Sequence, residues 1–92
     1  MLATIPFHRI FVNVRLGERE IIFQYGKKWF KMKWSDVPEK FKVLYAAKLK
    51  LERGNIPDDL KPYERSEISV GDINIELNLD KAEEVKENAY YL

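Results

Sequence analysis

The sequence predicts an α+β fold in a single domain, residues 1–92: a three-stranded antiparallel meander, a packed helix, a short β segment and a C-terminal helix. Three observations carry this. Residues 9–25 alternate apolar and polar side chains with a period of two, residues 34–54 hold apolar positions at helical spacing between a capping signal and a glycine, and residues 68–79 return to period two.

The first strand is RIFVNVRL, residues 9–16, in which Ile10, Val12, Val14 and Leu16 alternate with Arg9, Phe11, Asn13 and Arg15. Gly17 and Glu18 are expected to turn the chain. EIIFQY follows, with Ile21, Phe23 and Tyr25 on one face and Glu20, Ile22 and Gln24 on the other. Gly26 and Lys27 supply the second turn, because glycine accepts the positive φ that tight hairpins need. The third strand lies in YGKKWFKMKW, residues 25–34, where Lys28, Phe30, Met32 and Trp34 share the core face and Trp29, Lys31 and Lys33 share the other.

That second face gathers Arg9, Phe11, Arg15, Trp29, Lys31 and Lys33, with Asn13 and Gln24 as further candidates. Aromatic side chains among lysines and arginines on a sheet suit stacked bases flanked by phosphates, so this set is the candidate nucleic-acid-binding surface, for DNA or RNA. The plainer reading is that a helix of the same chain covers Phe11 and Trp29 and leaves the lysines as a solvated rim.

In WSDVPEKFKVLYAAKLKLERG, Ser35 or Asp36 is expected to cap the helix, with Pro38 in the first turn and Glu39 at capping-box spacing from Asp36. Gly54 reads as its left-handed end. Val37, Phe41, Leu44, Tyr45 and Leu51 form the packing stripe. Lys48 falls inside that stripe, to lie along apolar surface or to reach a partner. NIPDDLKPYERS, residues 55–66, reads as a loop. In EISVGDINIELNL the apolar parity changes at Gly71–Asp72, as a two-residue hairpin or a bulge would require. Asp80 then caps a last helix, DKAEEVKENAYYL, whose thin stripe of Ala82, Val85, Ala89 and Leu92 needs a docking surface. Tyr90, Tyr91 and Leu92 are its candidate interaction residues, together with Lys48.

Composition narrows the function classes. The 92 residues are 46% hydrophobic and 34% charged, the balance of a folded chain large enough for one modest core, to which oligomerisation would add stability. Without cysteine there is neither a disulfide framework nor a thiolate metal site, which points to an intracellular protein. Pro6, His8, Arg9 and Arg15 interrupt the apolar core a secretory leader would need, and no run has the length of a membrane span. Abundant Glu and Lys beside a single Gln resemble the composition of heat-adapted proteins.

The net charge of +1 hides an asymmetry. Residues 1–53 carry +7 and residues 54–92 carry −6, which marks either a basic binding surface or two halves that attract each other, within one chain or between copies. No cofactor or metal is expected. His8 is the only histidine, the carboxylates Asp58 and Asp59 lie in a polar loop, and the glycines form no phosphate-binding pattern, so the chain reads as a binding protein rather than an enzyme.

Two stretches carry family resemblances. KKWFKMKWSDVPEKF, residues 27–41, is similar to the small SH3-like chromatin proteins of thermophilic archaea, and the resemblance implies a sheet face lying on DNA. Those proteins are basic throughout, and the second half of this chain is acidic. AAKLKLERG followed by ERSEISVGDINIEL, within residues 46–77, resembles the end of tailed-phage head-tail connector proteins. That resemblance implies a ring-forming assembly subunit without catalytic residues, located in the host cytoplasm or the virion. The two function hypotheses are therefore a nucleic-acid-associated module and a protein-interaction or assembly subunit that oligomerises through complementary halves.

Overall fold

The structure is a computed structural model that describes residues 1–66 and 72–86. Its strands are β1 (Leu2–Pro6), β2 (Ile10–Arg15), β3 (Glu18–Tyr25), β4 (Lys28–Lys33), β5 (Asn74–Asn78) and β6 (Glu83–Glu84), with one α-helix, α1 (Glu39–Arg53), between β4 and β5. The α+β class follows directly: β2, β3, β4 and β6 form one antiparallel sheet in that order, and β1 pairs with β5 in a separate antiparallel ribbon.

The meander forms in the expected register. Val12 lies opposite Ile21 and Ile21 opposite Met32, so the alternating apolar residues of three strands meet on one face. Ile21 and Phe23 are fully buried and Met32 nearly so, while Phe30 and Trp34 are half-buried against the same core. The first turn sits one residue earlier than expected. Leu16 and Gly17, at φ 55° and 80°, make the two-residue loop that Gly17 and Glu18 were expected to make, and Glu18 already belongs to β3. Two successive positive φ values are what a turn matched to the twist of a hairpin needs. The second turn falls at Gly26–Lys27, with Gly26 at φ 65°.

Helix α1 begins later than its capping signal. Trp34–Asp36 form a single 3-10 turn, Pro38 occupies the N-cap position, and no side chain caps the helix, so the Asp36–Glu39 capping box does not form. The residue before a proline is held extended, and Val37 at ψ 134° separates the two segments. Gly54 ends the helix as expected, at φ 80° with its N–H donating to the Lys50 carbonyl at 2.8 Å. The buried face consists of Phe41, Lys42, Leu44, Ala46 and Leu49, with Tyr45 half-buried. Leu51, expected in the stripe, is 78% exposed.

The chain start is also more ordered than its sequence pattern suggested. Ala3 and Ile5 of β1 lie opposite Leu77 and Ile75 of β5, and all four are buried. The ribbon thus closes the core over Phe41 and Leu44 of α1 and over Ile10, Ile21 and Phe23 of the sheet. Residues 58–63, expected as loop, form a 3-10 segment whose Leu60 is fully buried in a second cluster with Ala46, Leu49 and Ile56. Two prolines flank or enter this segment, and a short 3-10 stretch tolerates them where a long helix would not.

The C-terminal helix expected from Asp80 does not form over residues 80–86. Leu79–Lys81 make a 3-10 turn capped by the Asn78 side chain, and Glu83–Glu84 then join β4 as an added edge strand. The Val85 N–H continues this pairing by donating to the Trp29 carbonyl at 2.8 Å. The alternating Glu83-Glu84-Val85 backbone gains sheet hydrogen bonds here that a thin-striped helix would have had to supply alone. Gly71, at the expected hairpin or bulge, and the end of the expected helix, with Tyr90, Tyr91 and Leu92, lie outside the described residues.

Candidate interaction surface

The face of the four-stranded sheet turned away from α1 is where the expected binding set falls. Across it run two rows, Phe11–Ile22–Lys31–Glu83 and Asn13–Glu20–Lys33, with Gln24 opposite Trp29 beside them. Helix α1 packs on the opposite face, so it does not cover Phe11, which is 54% exposed. Trp29 and Lys31 are half-buried, and Arg15 and Lys33 are exposed. The sheet therefore collects Phe11, Arg15, Trp29, Lys31 and Lys33 on one side. Arg9 is not part of the ladder: it ends a 3-10 turn, Phe7–Arg9, that precedes β2. His8, in the same turn, is exposed.

One lysine of this face, Lys31, is met by a carboxylate of the same chain. Lys31 pairs with Glu83 on this face and Lys28 with Glu84 on the other, each at 3.6 Å, because β6 lays its two glutamates along the basic strand. Asn13 donates to Glu20 at 2.9 Å. Elsewhere Arg19 pairs with Asp59, Lys50 with Glu64, and the N-terminal ammonium with Asp80 at 3.0 Å. These five ion pairs join the basic first half to the acidic second half, and a sixth, Lys61 with Asp58 at 3.3 Å, lies within the second. The asymmetry seen in the sequence is thus met by the two halves packing together. A groove of about 660 Å³ beside β3 and β4 has the same mixed character, with Glu18, Asp36 and Asp80 among its walls beside Lys33 and Lys81. The Lys50 hydrogen bond and charge hold the Glu64 carboxyl below its ordinary pKa.

On the inner side, the remaining unusual cation has a structural explanation. Lys42 is 9% exposed, with its Nζ 5.4 Å from the Trp34 ring centroid and 5.5 Å from that of Tyr63. The Arg19 guanidinium lies 5.8 Å from the Trp34 centroid as well. Ring quadrupoles attract both cations, and this cluster fastens β3, α1 and the 58–63 segment together.

Along β2 and its turn the structure adds exposed Val14 and Leu16 to Phe11, the exposed aromatic that the sequence had already singled out. This strand is the edge of the sheet opposite β6, and it carries Phe11 at 54%, Val14 at 61% and Leu16, at its end, at 95% exposure. Leu16 also sits at φ 55°, where a β-carbon costs about 1 to 2 kcal/mol and where glycine or asparagine is the usual occupant. A leucine at a hairpin turn was the available signal, and the alternation pattern had assigned it to the core instead. Beside this edge a cleft of about 300 Å³ opens towards α1, lined by apolar Phe7, Ile10, Val12, Phe41, Tyr45 and Leu49 and also by His8, Glu52 and Arg53. Lys48 is exposed at the same cleft rather than inside the packed stripe.

Among the described residues no helix is long and apolar enough to cross a membrane, and no cluster of three or more His, Asp or Glu side chains is arranged to hold a metal ion. Comparison with protein-family models, with curated proteins and with solved structures returns no match.

Proposed function

We propose that this protein is a non-catalytic assembly subunit, one that joins copies of its own chain through protein–protein contact. The observation that supports this best is that β2 is, among the described residues, an outer strand of its sheet and carries exposed Phe11 and Val14, with exposed Leu16 in the turn that follows it. Edges of that kind are templates for further strand pairing, and natural monomers usually blunt them with charge, proline or a covering segment. The resemblance of residues 46–77 to head-tail connector proteins agrees with an assembly role. The contact is apolar rather than ionic in this reading, because the opposite charges of the two halves already meet inside one chain.

The test is the mass in solution, by light scattering or sedimentation, across protein concentration and salt. An apolar edge contact holds or tightens as salt rises, and assembly through complementary charges loosens. A single-chain mass throughout rejects the assembly reading.

A second reading, a nucleic-acid-associated module, is favoured by one observation: Arg15 and Lys33 are exposed on the same sheet face as Phe11. Binding to DNA or RNA at low salt that weakens steeply as salt rises would support it.

A further inference from the structure

We infer that two copies of this chain pair antiparallel through β2, about a twofold axis at Asn13, so that their two four-stranded sheets become one. The inference rests on the assembly reading and adds the surface, the register and the occupant.

The geometry of the hairpin selects which backbone groups are available. A two-residue turn makes Arg15 and Glu18 the closing hydrogen-bonded pair, and alternation then directs Asn13 and Phe11 at β3 as well. The N–H and C=O of Val12 and Val14 point the other way, off the edge. In a copy related by a twofold axis at Asn13, Val12 faces Val14 of the second chain and receives both of its hydrogen bonds, and the reverse pair does the same.

Side chains fit the same register. On the inner face Val12 meets Val14, and Ile10 meets Leu16 of the other copy. On the outer face Phe11 meets Arg15, a cation over a ring, and Asn13 meets itself. Every exposed apolar residue of the strand gains an apolar or cationic counterpart, and no like charges oppose. A twofold axis at Val12 instead sets Arg9 against Arg15 and Leu16 against the polar His8. The 300 Å³ cleft adds an independent observation, since Ile10 and Val12 form its wall and the other copy's Leu16, opposite Ile10, is the side chain delivered there. This gives the leucine a purpose at a φ of 55° where asparagine would be easier. The contact is isologous and closes as a pair, unlike a ring, which needs a head-to-tail surface.

The experiment combines solution mass with three substitutions in the full chain. Val14→Lys, at an exposed position, should weaken the pair by about tenfold or more. Leu16→Asn should also weaken it, while leaving the melt of the dilute protein unchanged or higher, a result that a merely structural leucine would not give. The chain has no cysteine, so Asn13→Cys introduces one thiol per copy at the axis, within disulfide reach in a non-hydrogen-bonded pair, and oxidation should cross-link it faster than Val12→Cys. Faster linkage of Val12→Cys overturns the register. A multi-chain mass that neither Val14→Lys nor Leu16→Asn changes, with no Asn13→Cys linkage, overturns the β2 surface and leaves the assembly reading standing. A single-chain mass at every concentration overturns both.

Discussion

Glu83 stands directly opposite Lys31 across the β4–β6 ladder, with its Oε2 3.6 Å from the lysine Nζ. Glu84, opposite Phe30 in the same ladder, reaches Lys28 of β4 at the same distance. Two residues of sheet thus place two carboxylates against the strand that looked most suited to phosphate. The pairs are partly solvent-exposed and contribute little to stability, but they lower the positive potential along β4.

Neutralising them gives the first prediction. Glu83→Gln with Glu84→Gln should leave the fold intact and raise retention on DNA at low salt. The slope of log affinity against log salt should steepen by about one for each lysine released to a phosphate. Fluorescence anisotropy across a salt series checks this, and identical curves for both proteins would mean that neither lysine reaches nucleic acid.

The two tryptophans should respond differently. Trp34 packs edge-on against Phe41 and Tyr45, with ring centroids 6.2 and 6.1 Å away, and attracts Arg19 and Lys42. Trp34→Ala should cost about 3 to 5 kcal/mol, a large share of a small domain's stability. Trp29→Ala, on the opposite face, should cost less because it opens no cavity between α1 and the sheet. Urea unfolding of the two variants decides the order.

Lys42 lies between Trp34 and Tyr63, so its ammonium is coupled to both rings. A double-mutant cycle of Lys42→Met with Tyr63→Leu should return a coupling of about 0.5 to 2 kcal/mol. A coupling near zero would mean that the lysine contributes only through its aliphatic stem.

Acid should loosen the tie between α1 and the segment that follows Tyr63. The Glu64 pKa is lowered, first by its hydrogen bond from Lys50, so this contribution is present above the carboxylate's unfolded pKa and is lost as pH falls through its folded one. Glu64→Gln should therefore melt slightly below the parent at neutral pH and alongside it in strong acid. Melting curves over a pH series would show a constant gap if Glu64 were uninvolved.

Local pattern explains much of the agreement between sequence and structure. The period-two runs of β2, β3 and β5 and the αL end at Gly54 each depend on residues close in sequence, where side-chain alternation and the conformational freedom of glycine act directly. Helix α1 also formed, although its start moved because the prolyl constraint at Val37 prevailed over the capping box. Alternation likewise set Phe11, Trp29, Lys31 and Lys33 on a common face before any contact was known.

What the chain could not reveal by itself was decided by contacts between distant residues. β1 shows no strand signal until β5 supplies its partner about seventy residues later, and Leu60 reads as a loop residue until α1 provides a pocket. Glu83 and Glu84 suit a helix by local composition and become a strand because β4 offers an open edge to hydrogen-bond. Sequence alone determined which side chains share a face, since that follows from the geometry of one strand. Only the tertiary structure decided that Lys31 of the basic face is met by the chain's own acidic segment and that β2 is the outer strand among the described residues, because both depend on which strands lie side by side, and no single strand encodes its neighbour.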